Sequence, residues 1–166
     1  MDETISTENF INYAVEMYSD TVYRVALNIT QNPQDSFDIS QEVFIRLVEN
    51  FGKIKDKEHL KAWLIRVTVN CSRSFMKSKY RHEIISIDSV KESELLNEPS
   101  EDLEITRLVW ALSEKYSTVI YLFYYEEMKI SEISKALGIS QSAVKLRLSR
   151  GREKLKNLIE KESRNG

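Results

Sequence analysis

The C-terminal part of the chain carries a cluster of side chains that could contact nucleic acid. Between residues 141 and 152, one lysine and three arginines are interleaved with two serines and one glutamine. Arginine and lysine bind phosphate oxygens, and Gln, Ser, Lys and Arg can all reach base edges in the major groove. The spacing therefore predicts DNA binding, and the candidate residues are Gln141, Ser142, Lys145, Leu146, Arg147, Ser149, Arg150 and Arg152.

A helix-turn-helix is the element that would position these side chains. Gly138 can adopt the left-handed conformation that ends a short helix, and Ser131 and Ser140 are expected to cap the two helices. Ala136 is small enough for a close helix crossing, so the second helix would present its polar N-terminal face to the major groove. Leu146 lies on that face, where it could touch a thymine methyl group or another protein.

A second cationic surface is predicted in the N-terminal half. Residues 61–82 contain six Lys or Arg and no Asp or Glu, and residues 129–166 contain ten against four, although the net charge is -2. Local charge matters more than the total for attraction to phosphates. A long helix beginning near Glu58 would place an apolar face inward, and Trp63 on that face is either core or a stacking platform. The candidate nucleic-acid contacts are Lys61, Trp63, Arg66, Asn70, Arg73 and Lys77.

The preceding segment predicts a helix that starts at Asn32-Pro33. Asn32 suits the N-cap, Pro33 suits the first helical position, and the Asp35 carboxylate lies near the unpaired amides. We expect an inward face of Phe37, Phe44, Leu47, Val48 and Phe51. The opposite, open face would carry Asp38, Gln41, Glu42 and Arg46.

The overall composition predicts an all-α protein of two small helical domains. Four glycines and two prolines in 166 residues favour helices, and the first should run from about Thr7 to Ile29. The predicted boundaries are a helical domain over residues 1–83, an acidic flexible linker over 84–102 and a helix-turn-helix domain over 103–166. The aromatic run around Tyr121 could fit a strand, but its helical surroundings favour a helix.

Several classes of function are not supported by the sequence. No apolar run approaches the roughly 18 residues that span a bilayer, so we expect no membrane insertion and a cytoplasmic location. Cys71 is the only cysteine, which excludes an internal disulfide and a multi-cysteine metal cluster. Asp38 and Glu42 lie one turn apart without a third partner, so surface is expected rather than catalysis. We therefore expect no catalytic residues, no metal and no cofactor.

Three stretches resemble the bacterial RNA polymerase sigma factors of the extracytoplasmic-function (ECF) type. The run ISEISKALGISQSAVKLRLSRGR is similar to the family's region four, NPQDSFDISQEVFIR is similar to the polymerase-docking helix of region two, and AWLIRVTVN is similar to the promoter-melting segment. They occur in the family's order and cover nearly the whole chain. Ser74 replaces an aspartate that is frequent in the family, and Leu146 replaces a small polar residue, so the promoter sequence stays open.

The resemblance implies a function and its partners. The C-terminal candidates would contact the minus-thirty-five promoter element as duplex DNA. The long N-terminal helix and the loop from Gly52 to His59 would hold the unpaired strand of the minus-ten element. The face with Asp38 and Glu42 would dock on the clamp helices of the largest subunit of core RNA polymerase. An anti-sigma factor is a possible further partner, although no motif indicates one.

A different class of protein also fits the helix-turn-helix. An ordinary repressor or activator would combine it with an N-terminal sensor or dimerisation domain. Such a regulator binds a duplex operator tightly by itself, whereas a sigma factor binds DNA weakly alone and forms a stable complex with core polymerase. An enzyme in the N-terminal half is not supported, because the sequence offers no nucleophile, metal cluster or phosphate loop.

Overall fold

The computed structural model describes residues 3–54, 56–83 and 101–165, and all regular structure in these ranges is helical. The predicted all-α class is therefore confirmed. The described residues up to 83 belong to one compact unit and those from 101 onward to a second. The elements are α1 (Glu3–Thr30), α2 (Pro33–Glu49), a 3-10 turn (Phe51–Lys53), α3 (Lys57–Glu83), α4 (Glu101–Trp110), α5 (Glu114–Tyr124), α6 (Ile130–Leu137) and α7 (Gln141–Asn165).

The linker between the predicted domains is not described, so the predicted domain boundaries stay a prediction. Residues 84–100 of the predicted linker lie outside the described ranges, and residues 101 and 102 belong to the first turn of α4. The acidic flexible tether therefore stays a prediction.

The first unit is a three-helix arrangement in which α1, α2 and α3 all pack against one another. The three helices contribute to one core cluster, whose buried members are Ala14, Val22, Ala26, Ile39, Val43, Leu47, Leu60, Leu64 and Cys71. Burying these side chains removes apolar surface from water, which is the main force that holds the helices together.

The start of α2 is fixed by the predicted cap. The Asn32 side chain accepts a hydrogen bond from the Asp35 backbone N–H at 3.0 Å, and Pro33 occupies the first helical position. The hydroxyls of Thr30 and Ser36 are 2.7 Å apart beside this turn. The bond to the Asn32 side chain satisfies a backbone N–H in the first turn, which has no partner within the helix.

An Asn32→Ala variant is expected to lower the free energy of unfolding by about 1 kcal/mol, because alanine cannot accept the Asp35 N–H. Urea denaturation followed by circular dichroism would measure the loss. Asn32→Ser is the matched control, since serine is also a strong N-cap. Equal losses in both variants would show that the cap is not responsible.

The predicted inward face of α2 is wrong for two residues. Phe37 and Val48 are 53% and 58% exposed, whereas Ile39 and Val43 are buried. The buried face is Ser36, Ile39, Val43 and Leu47. The helix is therefore rotated relative to the expectation, because α2 contains more apolar residues than one helix face can bury.

The second unit is built on α5, which contacts α4, α6 and α7. The prediction that the aromatic run is a helix is confirmed. The buried apolar residues of this unit are Leu108, Val109, Leu112, Tyr116, Val119, Ile120, Leu122, Met128, Ile133, Ala136, Val144 and Leu148.

The helix-turn-helix consists of α6, a three-residue turn and α7. Gly138 has φ 66° and ψ 34°, the left-handed conformation that the turn requires, and the Ser140 hydroxyl accepts the Ala143 N–H at 3.0 Å. The prediction that Ser131 caps α6 is wrong, because the helix begins at Ile130 and Lys129 is its N-cap. The Lys129 N–H donates to the Glu132 carboxylate at 3.2 Å, which closes the first turn.

Candidate DNA- and polymerase-binding surfaces

One face of α7 presents most of the predicted duplex contacts to solvent. Val144 and Leu148 are buried at i and i+4, so the opposite side of the helix points away from the second unit. Leu146 is 48% exposed on that open side, among polar and cationic neighbours. Arg147 is half-buried at the edge, and the exposed members are Gln141, Ser142, Lys145, Leu146, Ser149 and Arg150.

Arg152 is placed differently from the other predicted α7 contacts. Its Nε donates to the Tyr124 hydroxyl at 2.6 Å, and its guanidinium carbon lies 5.4 Å from the centroid of the Phe123 ring. A cation over an aromatic face is attracted by the ring quadrupole. Arg152 therefore ties α7 to α5, and its predicted phosphate contact stays a prediction.

The α3 stripe is the row of predicted contacts Arg66, Asn70, Arg73 and Lys77 on the solvent side of α3. Their spacing of four, three and four residues puts them on one helical face. Arg66, Asn70 and Lys77 are exposed, and Arg73 is half-buried. The structure therefore brings these four side chains together.

Trp63 and Lys61 lie at different positions around α3 relative to this stripe. Trp63 lies one turn before Arg66 and is half-buried, because part of its ring packs against the core cluster of the first unit. Lys61 precedes Arg66 by five residues, which corresponds to about 140° around the helix. Trp63 therefore borders the stripe, whereas Lys61 lies on another side of α3.

Lys79 does not add its full charge to the cationic surface. Its ammonium nitrogen is 2.8 Å from the Asp35 carboxylate, and the two side chains are only 33% and 16% exposed. Opposite charges at this distance largely cancel at longer range, so Lys79 adds little to the attraction of phosphates. The pair also links the end of α3 to the start of α2.

The predicted polymerase-docking face lies on the open side of α2. Asp38, Gln41, Glu42 and Arg46 are all exposed, and the Arg46 Nε is 3.1 Å from the Glu42 carboxylate. This is an exposed ion pair, which contributes little to stability and leaves both groups accessible.

A shallow groove of about 320 Å³ separates this face from α3. Asp38, Glu42 and Arg46 line it from α2, and Cys71 and Phe75 line it from α3. Burial raises the pKa of the Cys71 thiol, so the cysteine is a neutral part of the groove wall and no reactive thiolate.

The apolar stripe of α2 was missed by the sequence interpretation. Phe37, Ile45 and Val48 are 53%, 53% and 58% exposed, and their helical spacing places them on the same outer face as Gln41. Exposed apolar side chains that form a contiguous group commonly mark a protein interaction site. A signal was present, since Ser36, Ile39, Val43 and Leu47 form an alternative inward row with regular helical spacing.

Two other kinds of site are absent from the described ranges. Within them no group of three or more His, Cys, Asp or Glu side chains is arranged to hold a metal ion. No helix there has both the length and the apolar character that crossing a membrane requires.

A helix-turn-helix with an exposed polar face, together with a separate unit that carries a cationic helix, is typical of a helical DNA-binding protein. Comparison with known families makes the class specific. Residues 14–82 match the model for sigma-70 region 2, and residues 102–155 match the model for sigma-70 region 4. The chain belongs to the sigma-70 family, in its ECF group. It is a sigma factor for transcription initiation, and sigma factors as a family are non-catalytic proteins.

Individual relatives agree with this assignment. The chain is 25% identical over 166 residues to the RNA polymerase sigma factor SigV of Bacillus subtilis, with 98% of both chains covered. It is 31% identical to SigZ of the same species, with 74% of this chain and 72% of SigZ covered. The solved structure of the sigma factor RpoE of Bartonella quintana, in complex with the anti-sigma factor NepR, shares the fold. Its TM-score is 0.76 at 18% identity, with 90% of this chain and 96% of that chain covered.

Proposed function

We propose that the chain docks on core RNA polymerase through α2 and contacts two promoter elements, one through α3 and one through α7. The observation that supports this proposal is the pair of separate surfaces with exposed cations, each within the part of the chain that matches the corresponding sigma-70 region. Such a protein directs polymerase to promoters without a catalytic step of its own. Its work on polymerase and DNA would take place in the cytoplasm.

The open face of α7 is proposed to contact the minus-thirty-five element as duplex. Gln141, Ser142 and Lys145 occupy the first turns, where a recognition helix meets base edges. Arg147 and Arg150 flank them and suit phosphate contacts. Arg152 follows them along α7 as a further proposed phosphate contact, and its bond to Tyr124 holds its side chain against α5.

The α3 stripe is proposed to hold the unpaired strand of the minus-ten element. Its cations can bind the backbone, Asn70 can hydrogen-bond a base, and the exposed part of Trp63 can border a base pocket. The start of α3 is stabilised by a side-chain cap, because the Asp56 carboxylate accepts the His59 N–H at 2.9 Å. This hydrogen bond lowers the pKa of Asp56 and keeps its negative charge at the start of α3.

The outer face of α2 is proposed to dock on the clamp helices of the largest polymerase subunit. The polar residues Asp38, Glu42 and Arg46 would supply orientation, and the apolar stripe of α2 would supply buried area. Protein interfaces commonly combine an apolar centre with a polar rim.

Lys145→Ala is expected to weaken holoenzyme binding to the minus-thirty-five element by about 1 to 3 kcal/mol if the lysine contacts a base. Arg147→Ala should also weaken binding, but uniformly across sequences if it contacts phosphate. Competition binding with wild-type and altered upstream elements would measure both. Lys161→Ala is the matched control, because this exposed lysine lies about 24 Å further along the same helix. Promoter binding unchanged in both test variants would contradict the assignment of α7.

The whole proposal is tested by transcription in vitro with core polymerase and a promoter library, with and without the protein. New start sites and co-elution of the protein with core polymerase are expected. Absence of both would contradict the proposal. Tight binding of the isolated protein to a duplex operator would instead support the repressor or activator alternative.

An inhibitory partner is also proposed. The RpoE structure contains the anti-sigma factor NepR, and a second solved structure with a TM-score of 0.70 contains CnrH with the cytosolic domain of CnrY. An anti-sigma protein would act on this chain by covering surfaces that core polymerase needs. A purified inhibitor should reduce transcription, and excess core polymerase should restore it.

A further inference from the structure

Tyr80 is an exposed aromatic residue near the C-terminal end of α3. It is 67% exposed, the highest value among the exposed large hydrophobic side chains of the described residues. A single exposed aromatic residue is ordinary, so its neighbours on the helix decide whether it has a role.

Those neighbours are the α3 stripe. Tyr80 follows Lys77 by three residues, and Trp63 precedes Arg66 by three, so both rings continue the spacing of the stripe. The full row on this face is Trp63, Arg66, Asn70, Arg73, Lys77 and Tyr80, with steps of three or four residues throughout. A half-buried aromatic ring therefore lies at one end of the cations and an exposed ring at the other.

The length and charge of this row fit a single strand of DNA. The seventeen steps from Trp63 to Tyr80 extend about 25 Å along the helix, which is long enough to contact several nucleotides of one strand. No Asp or Glu occurs within residues 61–82 to repel phosphates. Cations that follow the backbone, together with aromatic rings on which bases stack, are the usual means of binding unpaired nucleic acid.

We propose that Tyr80 is a promoter-binding residue whose ring stacks on an unpaired base of the melted strand, at the end of the row opposite Trp63. The proposal rests on the proposed function of α3 and extends its DNA contact by about one helical turn beyond Lys77. The ring rather than the hydroxyl makes the contact, because every base offers a flat face to an aromatic side chain.

The test uses holoenzyme assembled from the full chain and core polymerase, with a promoter fragment whose minus-ten region is held open by mismatches. Tyr80→Ala is expected to raise the dissociation constant about tenfold, as loss of one base–aromatic stack would. Tyr80→Phe should stay within about twofold of wild type, because the ring is kept. Polymerase binding and the unfolding curve should be unchanged in both variants, since Tyr80 contributes mainly solvent-exposed surface.

His82→Ala is the matched control. His82 is an exposed ring on the same helix, but it lies about 160° around from Tyr80, so its loss should not change DNA binding. The proposal is overturned if the Tyr80→Ala holoenzyme binds the opened fragment as tightly as wild type does. It is also overturned if Tyr80→Phe loses as much affinity as Tyr80→Ala does. An equal loss on a fully duplex fragment would also overturn it, because stacking requires an unpaired base. Failure of the wild-type holoenzyme to bind the promoter would instead refute the proposed function, and the role of Tyr80 with it.

Discussion

An Ile45→Arg variant is expected to bind core RNA polymerase about 150-fold more weakly than the wild-type chain, a loss of about 3 kcal/mol. Ile45 lies in the apolar stripe of α2, between the exposed Phe37 and Val48. If this stripe is the centre of the polymerase interface, arginine would remove apolar contact and bury a charge without a partner. Truncation at the centre of an interface commonly costs 2 kcal/mol or more by itself.

The same substitution should leave the first unit folded. The core-facing residues of α2 are Ile39, Val43 and Leu47, and Ile45 points away from them with 53% of its surface exposed. Titration of core polymerase with labelled chain would measure binding, and urea denaturation would measure stability. Met17→Arg is the matched control, because Met17 is 55% exposed on α1 of the same unit and lies outside the proposed interface. Equal polymerase affinity of the Ile45→Arg and wild-type chains would contradict the role of the stripe.

The sequence predicted the starts of α2 and α7 and the end of α6 because their causes are local. Asn32 and Ser140 each accept an N–H three residues ahead, and Gly138 ends α6 in the left-handed conformation. These interactions depend on residue type and short spacing, which a sequence shows directly. Ser131 was misassigned because the competing cap uses the backbone of Lys129.

The face that α2 buries could not be decided from the sequence. Two rows of apolar residues compete, one containing Ile39 and Val43 and the other containing Phe37 and Val48. The choice depends on which row fits the surfaces of α1 and α3, and that is a property of the packed unit. The row that is not buried forms the apolar stripe. Because Phe37 and Val48 were predicted to face inward, this candidate binding surface was not recognised from the sequence.

Long-range pairs account for the other differences in the candidate site. Lys79 pairs with Asp35 across 44 positions of the chain, and Arg152 donates to Tyr124 across 28. No periodicity within one helix reveals such partners. Charge composition therefore indicated both cationic segments but could not show which of their cations also bond to other parts of the chain.

A Gly151→Val variant is expected to lower the free energy of unfolding of the second unit by about 3 kcal/mol. Gly151 is buried where α7 crosses α5, and a Cβ atom there would lie 2.7 Å from Ile120 Cδ1 and 3.4 Å from Tyr116 Cβ. Ile120 and Tyr116 are 2% and 8% exposed, so the added atoms would enter a packed contact, and the end of the Ile120 side chain would have to move aside. Valine adds two further methyl groups, and α7 would have to separate from α5.

Gly52→Val is the control, because a Cβ atom at Gly52 meets nothing within 4 Å. Denaturation followed by circular dichroism should show an early transition for Gly151→Val alone. Since α7 also presents the proposed duplex contacts, the variant should lose minus-thirty-five binding near the temperature at which the second unit unfolds, while docking through α2 in the first unit persists. Gly151→Ala tests helix propensity against steric overlap at this site. Alanine stabilises a helix by up to about 1 kcal/mol relative to glycine, and its single methyl group overlaps less with α5 than valine does. Its stability should therefore stay close to wild type, and a loss as large as that of valine would mean that the crossing tolerates no side chain at all.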